Sequence, residues 1–468
     1  MPDPSGDPSH LDTLDRDLAR YSTLEVATAY AARPLVAPGI AFVFIALAGL
    51  GAAMFLGHAN NTLIVVLAAC FGAYMAINIG ANDVANNMGP AVGANALTMG
   101  GAIAIAVIFE SAGALIAGGD VVSTIAKGII APESMGTAQT FIWAMMAALL
   151  SAALWVNLAT WVGAPVSTTH SVVGGVMGAG IAAAGLSAVN WTTMSAIAAS
   201  WVISPVLGGA IAAGFLWLIK ARIIYQPDKI AAARKWVPML VGLMGGVFAA
   251  YLALKGLKRI IKIDMPTALL IGAVIGLAIW VVMIPVIRKQ SEGLENRNKS
   301  LKVLFGIPLV VSAALLSFAH GANDVANAVG PLAAIVHASE TGSFTDAISI
   351  PIWVMIIGAF GISFGLFLFG PKLIRMVGGQ ITKLNPMRAY CVALSAAITV
   401  IVASWLGLPV SSTHIAVGGV VGVGMARGIG AIDLRVIGGI VMSWIITLPV
   451  GGVLAALFYY TLRGMFLG

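Results

Sequence analysis

Two heptapeptides carry residues that could do chemistry in this chain: Gly80-Ala81-Asn82-Asp83-Val84-Ala85-Asn86 and its verbatim repeat Gly321-Ala322-Asn323-Asp324-Val325-Ala326-Asn327. Each follows a long apolar run and leads into Gly-Pro (Gly89-Pro90, Gly330-Pro331). A carboxylate between two amides at the end of an apolar run is costly to bury unless something cationic meets it, and ionisable groups so placed mark functional sites. Asp83 and Asp324, with Asn86 and Asn327, are hard oxygen ligands of the kind Na+ accepts. Protonation is the other way to neutralise the two acids.

A second pair is Pro165-Val166-Ser167-Thr168-Thr169-His170 and Pro409-Val410-Ser411-Ser412-Thr413-His414. Proline followed by Ser and Thr opens a helix, and a capped helix start is the bland reading of either copy. A cap uses one hydroxyl, whereas each run offers three. Unpaired N–H groups and the positive end of the dipole at such a helix start attract an oxyanion, and six hydroxyls add donors. None of the four motifs contains Lys or Arg. An anion held without fixed positive charge in a low dielectric needs a mobile cation beside it. Adjacent cation and anion sites couple two solutes by the same factor in both directions.

These residues therefore point to a cation-coupled oxyanion symporter, with no enzymatic activity and no cofactor other than the co-transported Na+ or H+. An uncoupled anion channel shares the oxyanion cage but not the coupling. A membrane-embedded enzyme using Asp83 and Asp324 as paired acids finds no nucleophile, base and orienter at recognisable spacing. Glu110, in the middle of an apolar run with no Lys or Arg in its span, is a candidate cation or proton ligand, or else a satisfied structural carboxyl. His170 and His414 lack Cys or carboxylate at metal-ligand spacing and are read as packing behind the site or donating to a carbonyl. His320 has Ile79 opposite it in the first copy and receives no shared role.

Membrane-length helices must position these groups. The chain is 60% hydrophobic and 9% charged, far from the roughly 25% charged share of soluble domains. Apolar runs near the length that crosses a bilayer recur from residue 36 to the C-terminus, without the period-two alternation of membrane strands. The expected fold is an all-α polytopic membrane protein with about 12–13 transmembrane segments, discontinuous helices and an inverted-topology repeat. Residues 79 to 90 match 320 to 331 at 9 of 12 positions, and 163 to 180 match 407 to 424 at 12 of 18. The expected organisation is a cytoplasmic tail (1–35), an extra span (36–57), a first transport repeat (60–219), linkers with two intervening spans (220–302) and a second repeat (303–465).

The tail lacks the pattern of a cleavable signal peptide; Asp12 to Ala32 could form a surface helix. The net charge of +7 resides in short connections between spans, which reads as cytoplasmic topology and not as nucleic-acid binding. The basic loop Lys255 to Lys262 falls on the wrong side under that count. Cys70 and Cys391 lie in apolar segments and support neither a disulfide nor a metal site. Lipid of the cell (inner) membrane is the expected surrounding, and a homodimer is left open.

At these motifs the chain resembles the inorganic phosphate transporter (PiT) family, over about residues 60 to 465. The resemblance implies that inorganic phosphate is held by Ser167, Thr168, Thr169, Ser411, Ser412 and Thr413, with Asn82 and Asn323 beside it. It implies cations at Asp83, Asp324, Asn86 and Asn327, and Glu110 matches the family's acidic residue after the first motif. The family's second-half carboxylate is absent, with Ala393 standing about where it belongs. Some members carry sulfate, which is the in-class rival.

Overall fold

Inside a bilayer every backbone polar group must be satisfied within its own segment, which is why the apolar runs become helices. A computed structural model of the chain describes residues 35–55, 62–255, 263–343, 348, 350–380, 384–428 and 433–467. The tail helix expected over Asp12 to Ala32, and the loop at 256–262, lie outside the described residues.

In chain order the helices are α1 (Leu35–Phe55), α2 (Thr62–Asn82), α3 (Val84–Gly93), α4 (Met99–Ala117), α5 (Gly119–Ser123), α6 (Ala138–Val162), α7 (Thr168–Ala184) and α8 (Trp191–Ile219). They continue as α9 (Lys229–Lys255), α10 (Met265–Gln290), α11 (Asn298–Leu304), α12 (Gly306–Thr341), α13 (Ile352–Gln380), α14 (Pro386–Trp405), α15 (Ser412–Met425) and α16 (Leu434–Leu467). Among the described residues, 11 helices are long and apolar enough to cross a membrane. The protein is a polytopic all-α membrane protein. The shorter α7 and α15 start at the two Pro-Val-Ser motifs.

Each half packs its motif helices on the other half. Helix α2 lies on α13, and α4 lies on α12; likewise α7 packs on α16 and α15 on α8. Glycines permit the approach. A Cβ on Gly80 would collide with the carbonyl of Ile362, and one on Gly321 with the carbonyl of Glu110. Small residues at such crossings let backbones close in, which is how helices associate where lipid removes the hydrophobic drive. The two collisions are counterparts, since Gly80 and Gly321 open the two copies of the motif. They therefore pair Glu110 of α4 with Ile362 of α13. Helices α9 and α10, between the halves, pack mainly against each other.

The two Asp motifs hardly interrupt their helices. At Asp83 the backbone keeps helical dihedrals (φ −81°, ψ −29°) and its N–H still donates to Ile79 O at 2.9 Å, so α2 and α3 run on as one span with a one-residue turn between them. Asp324 lies within an unbroken 36-residue helix. Around both Asp residues the Asn side chains bond to other elements and not to their own backbone, so they do not compete with the helical hydrogen bonds. The clear discontinuities lie at Pro165 and Pro409, where the chain re-enters helix deep inside the protein.

Candidate functional site

Helices α7 and α15 begin in the buried centre, each capped by the first hydroxyl of its run. Ser167 Oγ accepts from His170 N at 3.1 Å, and Ser411 Oγ accepts from His414 N at 3.3 Å. For these two residues the cap is real. The remaining hydroxyls turn elsewhere.

Asp83 receives one hydroxyl from each half: Thr168 Oγ1 donates to Oδ2 at 2.5 Å and Thr413 Oγ1 to Oδ1 at 2.9 Å. Ser412 Oγ donates to Asp324 Oδ2 at 3.2 Å. The amides cross between the halves in the same way. Asn86 Nδ2 donates to Thr413 Oγ1 at 2.8 Å, while Asn327 Nδ2 reaches Thr169 Oγ1 at 3.1 Å and Thr168 Oγ1 at 3.3 Å. The two runs also touch each other's loops, Thr169 Oγ1 donating to Val410 O at 3.0 Å. All these residues are buried. The structure thus gathers Asp83, Asn86, Thr168, Thr169, Asp324, Asn327, Ser412 and Thr413 into one polar cluster.

Asn82 and Asn323 are placed differently. Asn82 Nδ2 donates to Thr160 Oγ1 (2.9 Å) and Ala164 O (3.2 Å), and its Oδ1 accepts from Val166 N (3.1 Å). Asn323 Nδ2 donates to Ser404 Oγ (3.1 Å) and Leu408 O (3.3 Å). Both splint the loops that lead into the hydroxyl runs. Their amide donors are engaged by these loops.

Glu110 joins the cluster through His320 and is held by Asn87, two residues to which the sequence motifs gave no role. Asn87 Nδ2 donates to its Oε1 at 2.7 Å, and His320 Nδ1 lies 2.7 Å from its Oε2. The other ring nitrogen of His320 stands 2.8 Å from Asp324 Oδ2. His320 is four residues before Asp324, the spacing that puts two side chains on one helix face. That spacing was the available signal. The first half has nothing comparable, because Ile79 and Ile362 occupy the counterpart positions.

The cluster can hold a cation. Ligand atoms of Asp83, His320 and Asp324 lie within 4.8 Å of one another. Among the described residues, Asp324 Oδ1 and Asn327 Oδ1 are buried acceptors with no hydrogen-bond partner. Such oxygens are costly unless a donor or a cation meets them. Donors for an anion are the α7 and α15 N-termini and their hydroxyls.

Behind the hydroxyl runs the two histidines pack in an aromatic stack. His170 lies 3.8 Å from the Trp201 ring and His414 lies 3.6 Å from Trp444, with the two imidazoles edge to face at 4.4 Å. Trp201 Nε1 donates to Pro409 O at 3.2 Å, tying α8 to the opposite loop.

Comparison with known proteins follows the same residues. The profile of the phosphate transporter family matches residues 79–455. A Helicobacter pylori (strain J99) protein named "Putative phosphate permease" is 55% identical over 392 residues, covering 83% of this chain and 73% of its own. A Pyrococcus abyssi protein with the same designation is 37% identical over 394 residues, covering 84% and 96%. A solved structure, "The sodium-dependent phosphate transporter", is 37% identical, with a TM-score of 0.83, over 86% of this chain and all of that one.

Proposed function

The chain belongs to the phosphate transporter family, and on that premise we propose that it imports inorganic phosphate by symport with Na+. The observation that carries the proposal is Asp83, a buried carboxylate bonded at once by Thr168 of the first half and Thr413 of the second. A cation there and an anion at the two helix starts share the same hydroxyls, so each improves binding of the other. The similar solved structure is of a sodium-dependent transporter, which supports Na+ as the coupling ion.

In this proposal phosphate takes hydrogen bonds from the N–H groups opening α7 and α15, and the hydroxyls of Thr168, Thr169, Ser412 and Thr413 turn to it from their present protein acceptors when Na+ takes the carboxylates. Ser167 and Ser411 hold those helix starts in place, and Asn82 and Asn323 hold the loops before them. Na+ is taken by carboxylate and amide oxygens of Asp83, Asn86, Asp324 and Asn327. Glu110 acts on Asp324 through His320, as a positioning residue. Without Lys or Arg among the described residues of the cage, phosphate enters a low-dielectric centre only with its cations. The cross-packing of the halves supports an inverted repeat whose rocking would open the centre to either side.

Purified protein in liposomes, with Na+ and pH gradients imposed separately, tests the proposal. Labelled phosphate should accumulate under an inward Na+ gradient and not under a pH gradient alone. Accumulation driven by pH alone would make H+ the coupling ion, and entry indifferent to both gradients would make the protein a channel. If excess sulfate, but not excess phosphate, abolishes labelled-substrate entry, the substrate assignment is wrong.

A further inference from the structure

The crossings that carry the hydroxyl runs repeat closely enough for their residues to be compared in pairs. A Cβ on Gly174 or Gly178 of α7 would meet the carbonyl of Leu448 or Gly452, and one on Gly418 or Gly422 of α15 that of Pro205 or Gly209. Pro165 thus corresponds to Pro409, Thr169 to Thr413, and Trp201 of α8 to Trp444 of α16. Several bonds at the two proline loops are equal in the two halves. Asn82 Nδ2 reaches Ala164 O at 3.2 Å and Asn323 Nδ2 reaches Leu408 O at 3.3 Å, while the caps at Ser167 and Ser411 measure 3.1 and 3.3 Å.

Other bonds differ, and all in one direction. Trp201 Nε1 donates to Pro409 O at 3.2 Å, whereas among the described residues the buried Trp444 Nε1 has no partner. Thr169 Oγ1 donates to Val410 O at 3.0 Å, whereas Thr413 Oγ1 stands 3.5 Å from Val166 O. Pro165 O receives Ser443 Oγ at 3.4 Å, a hydroxyl that also donates to Ile440 O at 2.7 Å. The indoles differ to match: Trp201 is tilted 48° to the His170 ring and reaches across, and Trp444 lies at 24° to His414. A buried indole N–H without an acceptor is costly. Identical residues bonded differently mark two arrangements of one element. In an inverted repeat the two loops face opposite sides of the membrane, and rocking of the halves carries each into the arrangement its counterpart now holds.

From this we infer that Trp201 and Trp444 are positioning residues used in turn, each holding the opposite half's proline loop in one of the two conformations. In this conformation Trp201 holds the loop that leads into α15. In the opposite-facing one Trp201 releases Pro409 O, and Trp444 turns on His414 to donate to Pro165 O, holding the loop that leads into α7. The inference rests on the inverted repeat and rocking of the proposed function.

Trp201→Phe and Trp444→Phe keep a ring against each histidine and remove the N–H. Hydrogen exchange read by mass spectrometry on the purified protein, without Na+ or phosphate, compares peptides over 406–411 and 163–167. Losing one neutral hydrogen bond in one of two conformations shifts their ratio about fivefold. The exchange rate over 406–411 relative to that over 163–167 should therefore rise about fivefold in Trp201→Phe and fall about fivefold in Trp444→Phe. In Trp444→Phe the fall should include slower exchange over 406–411, which loosening of its own surroundings does not produce. The double variant should return to within about twofold of wild type, the two shifts cancelling. A Trp444→Phe protein with wild-type exchange over 406–411, or a double variant that behaves as Trp201→Phe alone, would overturn the alternation. Exchange is read without transport. Na+-driven accumulation with no reciprocal exchange would remove the tryptophan roles and leave the coupling proposal standing, and reciprocal exchange without such accumulation would do the opposite.

Discussion

Replacing Asp83 by Asn keeps the shape of the side chain and removes its charge. The buried carboxylate accepts hydroxyls from Thr168 and Thr413 at 2.5 and 2.9 Å. Those hydroxyls can rotate, so packing should survive. What is lost is attraction for the cation. A unit charge about 4 Å away at an effective dielectric of about 20 contributes about 4 kcal/mol, or about 10³-fold in Na+ affinity at about 1.4 kcal/mol per decade. Water and the remaining ligands screen part of this, so a rise of about 10² to 10³ in the Na+ concentration for half-maximal uptake is expected. The assay is labelled phosphate uptake into proteoliposomes across a Na+ titration, with reconstituted protein quantified and its elution profile checked. A half-saturation within about threefold of wild type, less than 1 kcal/mol, would refute a cation ligand at Asp83.

Other substitutions separate roles within the cluster. Ser167→Ala removes a cap and should cost about 1 kcal/mol of thermal stability with little change in phosphate affinity. Thr168→Ala should do the reverse, weakening apparent phosphate affinity about 10- to 100-fold; equal effects from the two would return Thr168 to a structural role. Asn82→Ala and Asn323→Ala should each lower transport rate through a loosened loop, seen as faster hydrogen exchange over 164–170 or 408–414 respectively; unchanged exchange would contradict the splint. Gly321→Ala drives a Cβ into the carbonyl of Glu110, whereas Gly100→Ala meets nothing within 4 Å. The first should lower Tm by several degrees, at about 1 to 3 kcal/mol, and the second should leave it unchanged; a Gly321 variant as stable as wild type would refute the close packing of α4 on α12.

Much of this site was legible in the sequence because duplication removes coincidence: Asp83 with Asp324, and the two hydroxyl runs, were identified by repetition alone. Periodicity and length likewise gave the all-α membrane fold. What stayed hidden depends on which neighbour a side chain meets. Nothing local distinguishes the one-residue turn at Asp83 from the unbroken helix at Asp324, since both carry the same seven residues. Asn82 and Asn86 look equivalent in the motif, yet four residues of helix send one amide to its own half's loop and the other to Thr413 of the opposite half. Comparing the halves for shared residues also discarded His320, whose contacts with Glu110 and Asp324 lie where the halves differ. Symmetry reveals what two repeats share and conceals what only one of them does.

Reciprocal binding on the purified protein tests the coupling of cation and anion most directly. Phosphate affinity is measured with and without saturating Na+, and Na+ affinity with and without saturating phosphate. The expected result is tighter phosphate binding in Na+, with phosphate tightening Na+ binding by the same factor, and loss of both effects in Asp83→Asn. Phosphate binding that is equally tight with and without Na+ would contradict a site in which the two ions share the hydroxyls of Thr168 and Thr413.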